Sequence, residues 1–161
     1  MTEKINQQVI DILVKELNIC FTEALEYNIL NFNYSYDSSS VCSNIFPGEY
    51  TCNSFEVTNI YNIVGTTIGK ISFIDVQTQL IPSSPNILIN ENGNILIDNI
   101  GNVSYIYSFP SQLQFQTSFP PDLKYVFTEM TNKSGIFLKT NGFILIIPFS
   151  NGSRQVFIIY K

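Results

Sequence analysis

Over the first thirty residues, apolar side chains recur at every third or fourth position, which is the period of an amphipathic helix. The main apolar stripe consists of Ile10, Leu13, Val14, Leu17, Cys20, Phe21, Ala24 and Leu25. Thr2 suits the N-cap, because its hydroxyl can accept a hydrogen bond from a free backbone N–H of the first turn. We therefore predict one helix over residues 1–30, with Cys20 on its buried face.

The period changes after residue 54, where short apolar runs alternate with turn residues in a pattern typical of antiparallel strands. The predicted strands are Phe55–Ile63, Thr67–Gln79, Asn86–Asn90, Asn94–Asp98, Val103–Phe109, Gln112–Ser118, Tyr125–Met130, Gly142–Phe149 and Arg154–Lys161. Asn92-Gly93, Asn141-Gly142 and Asn151-Gly152 predict two-residue hairpin turns, since both central residues of the favoured turn adopt positive φ.

The fold class predicted from this spacing is mainly β, with eight or nine short strands in a sandwich or a closed barrel. We expect an antiparallel barrel of about eight strands over residues 55–161, preceded by the N-terminal α-helix. Residues 31–54 separate the two and are expected to form a loop segment, because Asp37-Ser38-Ser39-Ser40 and Pro47-Gly48 are turn material.

The last two predicted strands are apolar on both faces, whereas a strand with one face in water should alternate. In Gly142–Phe149 and Arg154–Lys161, the barrel core can cover one face. The other face needs the N-terminal helix or a neighbouring subunit, and the sequence leaves both open. This pattern predicts a homo-oligomer, with the helix packed on its own barrel or on a neighbour's.

Composition narrows the function classes. The chain of 161 residues is one domain, with a formal net charge of −5 and eight basic residues in no cluster, which argues against a nucleic-acid partner.

No apolar run reaches the length of about 20 residues that a membrane-spanning helix needs, and early charges interrupt any signal-peptide core. Abundant Ile and Asn are typical of AT-rich genomes, which occur in large DNA viruses, protists and low-GC bacteria. We expect a cytoplasmic or virion protein.

Cysteine and histidine usage predicts no metal and no cofactor. The chain has three cysteines without metal-ligand spacing, and it has no histidine, the commonest zinc ligand and the usual partner of a nucleophile. Cys42 and Cys52 flank a turn and could pair across it. In a reducing compartment we expect them to stay thiols.

Two carboxyl groups are the candidate catalytic residues. Strand alternation places Ile71, Phe73 and Asp75 on one face, and it places Tyr125, Phe127 and Glu129 on one face. If the aromatic residues face inward, Asp75 and Glu129 lie inside a barrel mouth, where a carboxyl group can act as general acid or base. The other interpretation is that both lie on the solvated rim, since unpaired carboxylates are seldom buried.

Gly-containing turns precede predicted strands at Gly65-Thr66-Thr67-Ile68-Gly69, at Asn92-Gly93-Asn94-Ile95 and in the stretch from Thr131 to Arg154. These segments resemble turns and strands of the allene oxide cyclase and dirigent-type barrels. The resemblance covers roughly residues 55–161. Leu138-Lys139 stands where a second glycine is usual, and the N-terminal helix is not part of that pattern. The resemblance implies an eight-stranded antiparallel barrel, often trimeric, that sometimes holds a small apolar molecule.

Three functions follow from these observations. The first is a non-enzymatic structural or assembly protein, a homo-oligomeric barrel with a trimer favoured, as a virion component. The second is a barrel that binds a small apolar ligand. The third is an isomerase or coupling-guide activity like that of the resembled families, with Asp75 or Glu129 as the acid or base. The sequence favours the first, a protein that is not an enzyme.

Overall fold

The N-terminal apolar stripe forms a shorter helix than predicted. In the computed structural model, α1 spans Thr2–Leu17 and the short α2 spans Phe21–Ala24. Asn18 ends α1 in the left-handed conformation, with φ 52°. The chain changes direction there, so Cys20 lies before α2 and is exposed. The prediction that Cys20 is buried on a continuous helix is therefore wrong.

The structure describes the backbone of residues 2–35, 39–46, 49–80, 87–110, 125–149 and 153–161. Side chains are described for 7–35, 55–76, 90–108, 125–149 and 153–161. Among the described residues, no helix is both long enough and apolar enough to cross a membrane.

Nine antiparallel strands make up the rest of the described chain. They are β1 Asn28–Ser35, β2 Ser39–Phe46, β3 Glu49–Tyr61, β4 Thr67–Leu80, β5 Ile87–Ile97, β6 Gly101–Pro110, β7 Val126–Glu129, β8 Gly142–Pro148 and β9 Ser153–Tyr160. A short 3₁₀ turn, Gly135–Phe137, lies between β7 and β8. The predicted strand Gln112–Ser118 and the predicted turn Asn151-Gly152 lie outside the described residues.

The strands form a nearly closed barrel. Eight of them follow one another in the order β6-β5-β4-β3-β1-β9-β8-β7, and β2 pairs with β3 outside this path. Between β6 and β7, Ser104 and Thr131 exchange two backbone hydrogen bonds of 2.7 Å, and the Thr128 hydroxyl donates to the Ile106 carbonyl. The predicted class, a mainly β antiparallel barrel of eight strands with an N-terminal helix, is confirmed.

The expected loop at residues 31–54 is wrong, because most of this segment is strand. β1 alternates polar residues with inward-facing Leu30, Phe32 and Tyr34, and it pairs with β9 along its whole length. β2 and the first half of β3 form a hairpin in which Cys42 lies opposite Cys52 along the backbone. Their side chains lie outside the described set. Ladder bonds along the sheet outweigh the low strand preference of Asn and Ser.

Two Asn-Gly pairs are not hairpin turns. Asn92-Gly93 lies in the middle of the continuous strand β5, where the missing side chain leaves space for an aromatic ring: a Cβ on Gly93 would lie 2.1 Å from Cζ of Tyr105. Gly142 begins β8, and a Cβ there would lie 2.1 Å from the Ile159 carbonyl oxygen. Both glycines permit close packing within the sheet rather than a reversal of the chain.

The helix α1 covers the outer faces of β8 and β9 within the same chain. Val9, Ile10, Ile12 and Leu13 pack against Leu145, Ile147, Phe157 and Ile159, all of which are buried. The alternate residues of the same strands, Ile144, Ile146, Val156 and Ile158, fill the lumen. One chain therefore accounts for both apolar faces, and this pattern does not call for a neighbouring subunit.

Candidate functional site

A buried ion pair crosses the lumen of the barrel. Arg154 Nη1 on β9 lies 3.2 Å from Glu91 Oε1 on β5, and the two residues are 6% and 0% exposed. β5 and β9 are not neighbours in the sheet, so the pair joins two separate parts of the barrel wall. Burying two charges costs several kcal/mol per ion unless further hydrogen bonds compensate.

Three tyrosines supply those further hydrogen bonds. Tyr105 and Tyr107 of β6 donate to Glu91 Oε2 at 2.8 and 2.6 Å. The Tyr34 hydroxyl of β1 accepts a bond of 3.2 Å from Arg154 Nη1. We refer to Glu91, Arg154, Tyr34, Tyr105 and Tyr107 as the luminal cluster.

The register of the sheet brings the luminal cluster together. Tyr34 lies opposite Arg154 in the β1–β9 pair, and Glu91 lies opposite Tyr107 in the β5–β6 pair. Tyr105 lies opposite Gly93 and occupies the space over it. Since alternate residues of a strand face the same side, each pairing places both partners in the lumen.

Aromatic rings surround the charged groups. The Arg154 guanidinium lies 6.0 Å from the ring centroid of Tyr34 and 5.9 Å from that of Phe73. Tyr105 and Tyr107 stack with centroids 5.5 Å apart and planes 12° apart. These faces give the guanidinium cation–π contacts and give the polar end of the lumen flat aromatic walls.

The electrostatics of the cluster keep its three tyrosines and Arg154 in their ordinary protonation states. Burial is the largest cause that raises the pKa of Tyr34, Tyr105 and Tyr107, and Glu91 adds to it in each case. Burial by itself lowers the pKa of Arg154, but Tyr34, Tyr107 and Glu91 more than offset this, and the net pKa is raised. At neutral pH the tyrosines are therefore phenols and the guanidinium is charged.

Asp75 is inside the barrel. It is 2% exposed, continues the inward face of Ile71 and Phe73, and lies directly opposite Glu91 in the β4–β5 pair. Glu56 of β3, 9% exposed, also faces inward and lies opposite Phe73, two residues along β4 from Asp75. Within the described ranges, no group of three or more His, Cys, Asp or Glu side chains is arranged to hold a metal ion.

Glu129 lies on the other side of the wall. On β7, Val126 and Met130 pack into the lumen, whereas Phe127 packs against the helix-side cluster and Glu129 is exposed. The aromatic residues of this strand therefore face outward, contrary to the inward orientation considered for them. The structure does not bring Glu129 together with Asp75.

Sequence analysis missed every member of the luminal cluster. A hairpin predicted at Asn92-Gly93 placed Glu91 in a turn, although the residue lies mid-strand. One signal was available in the alternation of Val103, Tyr105 and Tyr107, which placed two hydroxyl groups on an apolar face. No local pattern links Glu91 to Arg154, which lies 63 positions later.

Comparisons with known proteins concern the fold. No protein-family model matches the chain, and no curated protein matches it in sequence. Among solved structures, pyocyanin demethylase superposes with a TM-score of 0.58 at 9% identity, over 83% of this chain and 100% of that chain. At this identity the similarity shows a shared barrel fold and carries no function with it.

A double-mutant cycle tests whether Glu91 and Arg154 act as a pair. Glu91→Gln and Arg154→Met should each destabilise the protein by roughly 3–5 kcal/mol, because each leaves a buried polar group without its partner. The double variant should be more stable than the sum of the two effects predicts, by about 0.5–3 kcal/mol. Urea unfolding measures all three, with the exposed Glu129→Gln as a control that should stay within about 0.5 kcal/mol. Additive effects would contradict the pairing.

High pH should destabilise the fold through the buried tyrosines. Their pKa in the folded state lies above the ordinary value of about 10, so the unfolded chain loses these protons first. Their contribution is present below about pH 10 and is lost as the pH rises above it. Tyrosinate absorbance and circular dichroism, followed together, should show that part of the tyrosinate signal appears only on unfolding. In concentrated urea, all nine tyrosines should titrate near 10. The same titration curve with and without urea would contradict this assignment.

Proposed function

We propose that this barrel binds a small, mainly apolar and planar molecule at the polar end of its lumen and can transfer a proton to or from it. The observation that carries the proposal is the luminal cluster. An eight-stranded barrel can be filled by apolar side chains, and apolar replacements of buried ion pairs are often neutral or stabilising. A costly arrangement of charges and phenols in a lumen is therefore more typical of a functional site than of a scaffold.

Each residue has a distinct role in this proposal. Asp75 is the acid–base group, since its carboxyl group is buried beside the cluster on the neighbouring strand. Tyr34 and Arg154 are the donors for an oxygen atom of the ligand, because both are protonated at neutral pH and lie within 3.2 Å of each other. Glu91 is a positioning residue that holds Arg154, Tyr105 and Tyr107.

Two similarities are consistent with a small-molecule reaction in such a barrel. The structural neighbour is named as a demethylase of pyocyanin. The allene oxide cyclase and dirigent-type barrels, which parts of the sequence resemble, imply isomerase or coupling-guide chemistry. For this chain, proton transfer that shifts a double bond is the reaction class that the luminal cluster suits best.

Calorimetric titration with planar aromatic probes, 1-naphthol and pyocyanin, tests the proposal. At least one should bind saturably, and Tyr34→Phe and Asp75→Asn should each weaken that binding about tenfold, equivalent to about 1.4 kcal/mol. Glu129→Gln removes a carboxylate outside the lumen and should leave binding unchanged. Absence of binding to both probes, or equal weakening by Asp75→Asn and Glu129→Gln, would contradict a luminal site.

A second candidate function, the assembly protein, has its own support on the opposite face of the sheet. Phe55, Ile74 and Ile106 lie in one row across β3 to β6, with the exposed Asn92 of β5 between Ile74 and Ile106. The three apolar residues are 60%, 46% and 62% exposed. This outer apolar row borders a groove of about 270 Å³ on the half of the barrel that α1 leaves uncovered. Exposed apolar patches of this kind mark association surfaces. In this proposal a second copy covers the row, in a trimer or another homo-oligomer, as in a virion component.

Light scattering measures the mass of the protein in solution and therefore tests the assembly proposal. The wild type should be a homo-oligomer, and Ile106→Asp should dissociate it by placing a charge in the row. Ile63→Asp is the matched control, because Ile63 is 71% exposed in the β3–β4 turn, away from the row. A monomeric wild type, or equal masses for the two variants, would count against assembly through this face.

A further inference from the structure

A second cavity opens at the other end of the barrel. It has a volume of about 390 Å³, within the range of small-molecule sites. Its apolar lining consists of Leu30, Phe32, Ile68, Ile97 and Ile100. We refer to it as the end pocket. Along β5 it lies at the Ile97 end, whereas Glu91 of the luminal cluster lies mid-strand.

The end pocket exists because the barrel wall has a gap. β3 stops at Tyr61, and β1 pairs with it at a single described position, Asn33 opposite Tyr61. Beyond that point, Leu30 and Phe32 face the start of β4 across the opening. The base of the pocket is well packed, because Phe32 and Ile97 are 1% and 3% exposed and belong to the barrel core.

The rim of the end pocket has one charged residue, Asp98, beside three uncharged polar residues. Asp98 is held in place by its backbone, since its N–H donates to the Ile68 carbonyl at 2.9 Å. Asn99, next to it, adopts the left-handed conformation with φ 62° and turns the chain into β6. The side chain of Asp98 is exposed, so a carboxylate stands at the mouth of an apolar cavity.

We propose that the end pocket binds an amphiphile with one cationic head group, whose apolar part enters the cavity while its ammonium group pairs with Asp98. The apolar lining selects the hydrocarbon part through burial. The acidic rim selects against fatty acids and other anions, because it places like charges together. Phe32 lies two residues before Tyr34 on β1, and no member of the luminal cluster lines the end pocket. The inference is therefore independent of the proposed luminal function.

Competition between matched amphiphiles tests the proposal. The neutral fluorophore N-phenyl-1-naphthylamine should bind saturably, with one site per chain, and brighten as it leaves water. Octylammonium should displace it at a concentration about fivefold or more below that of octanoate, a ligand of equal chain length and opposite charge. This ratio should shrink at high salt, because an exposed ion pair is screened.

Two variants test the contact with the head group and the binding in the cavity separately. Asp98→Asn should retain fluorophore binding and reduce the octylammonium preference to within about twofold, whereas Glu129→Gln removes the same charge elsewhere and should keep the preference. Leu30→Trp should occupy the cavity and abolish fluorophore binding. If circular dichroism shows that this variant is unfolded, Ile100→Phe replaces it.

The outcomes also distinguish the end pocket from the luminal site. Asp75→Asn should leave octylammonium binding unchanged, and Asp98→Asn should leave 1-naphthol and pyocyanin binding unchanged. The inference is overturned if the fluorophore does not bind saturably, if octanoate competes as well as octylammonium, or if Asp98→Asn and Glu129→Gln behave alike. Failure of the aromatic probes alone would count only against the luminal proposal.

Discussion

The ion pair between Glu91 and Arg154 constrains the interior of this barrel, because both charges are buried. It joins β5 to β9 across the lumen, so the registers of both strands must place one long side chain inward at the same level. Each charge then needs the hydroxyl groups around it, because an uncompensated buried charge costs several kcal/mol. The pairings of Tyr34 with Arg154 and of Glu91 with Tyr107 meet both requirements.

The two ends of the lumen differ in polarity. The outer surface of the barrel also differs from one side to the other, since α1 covers only part of it. The luminal cluster makes one end polar, whereas the other end is lined by apolar residues and opens through a gap in strand pairing. Outside, α1 covers β8 and β9, and the face of β3 to β6 keeps apolar side chains exposed. We propose a different partner for each surface: a polar ligand atom for the luminal cluster, an amphiphile for the end pocket and a second copy for the outer apolar row.

These surfaces make different demands on ligand chemistry. The luminal cluster has donors and flat aromatic walls, which suit a planar molecule with an oxygen atom. The end pocket has an apolar floor and an acidic rim, which suit a cationic amphiphile. Because the two sites share no lining residue, ligands at the two sites can be tested one at a time. Pyocyanin demethylase resembles this chain in fold alone, so the proposed functions depend on these side chains.

By itself, the sequence determined the fold class, the presence of an N-terminal helix and the fact that Ile71, Phe73 and Asp75 share one face, because local periodicity sets which residues share a face. It also showed that β8 and β9 need cover on both sides. Only the tertiary structure decided that α1 provides the cover, that Asn92-Gly93 continues a strand, and that Glu129 faces outward. Only the tertiary structure places Glu91 in contact with Arg154. Periodicity groups residues by face but does not say which face is inside or which strands are partners; register and barrel closure decide both.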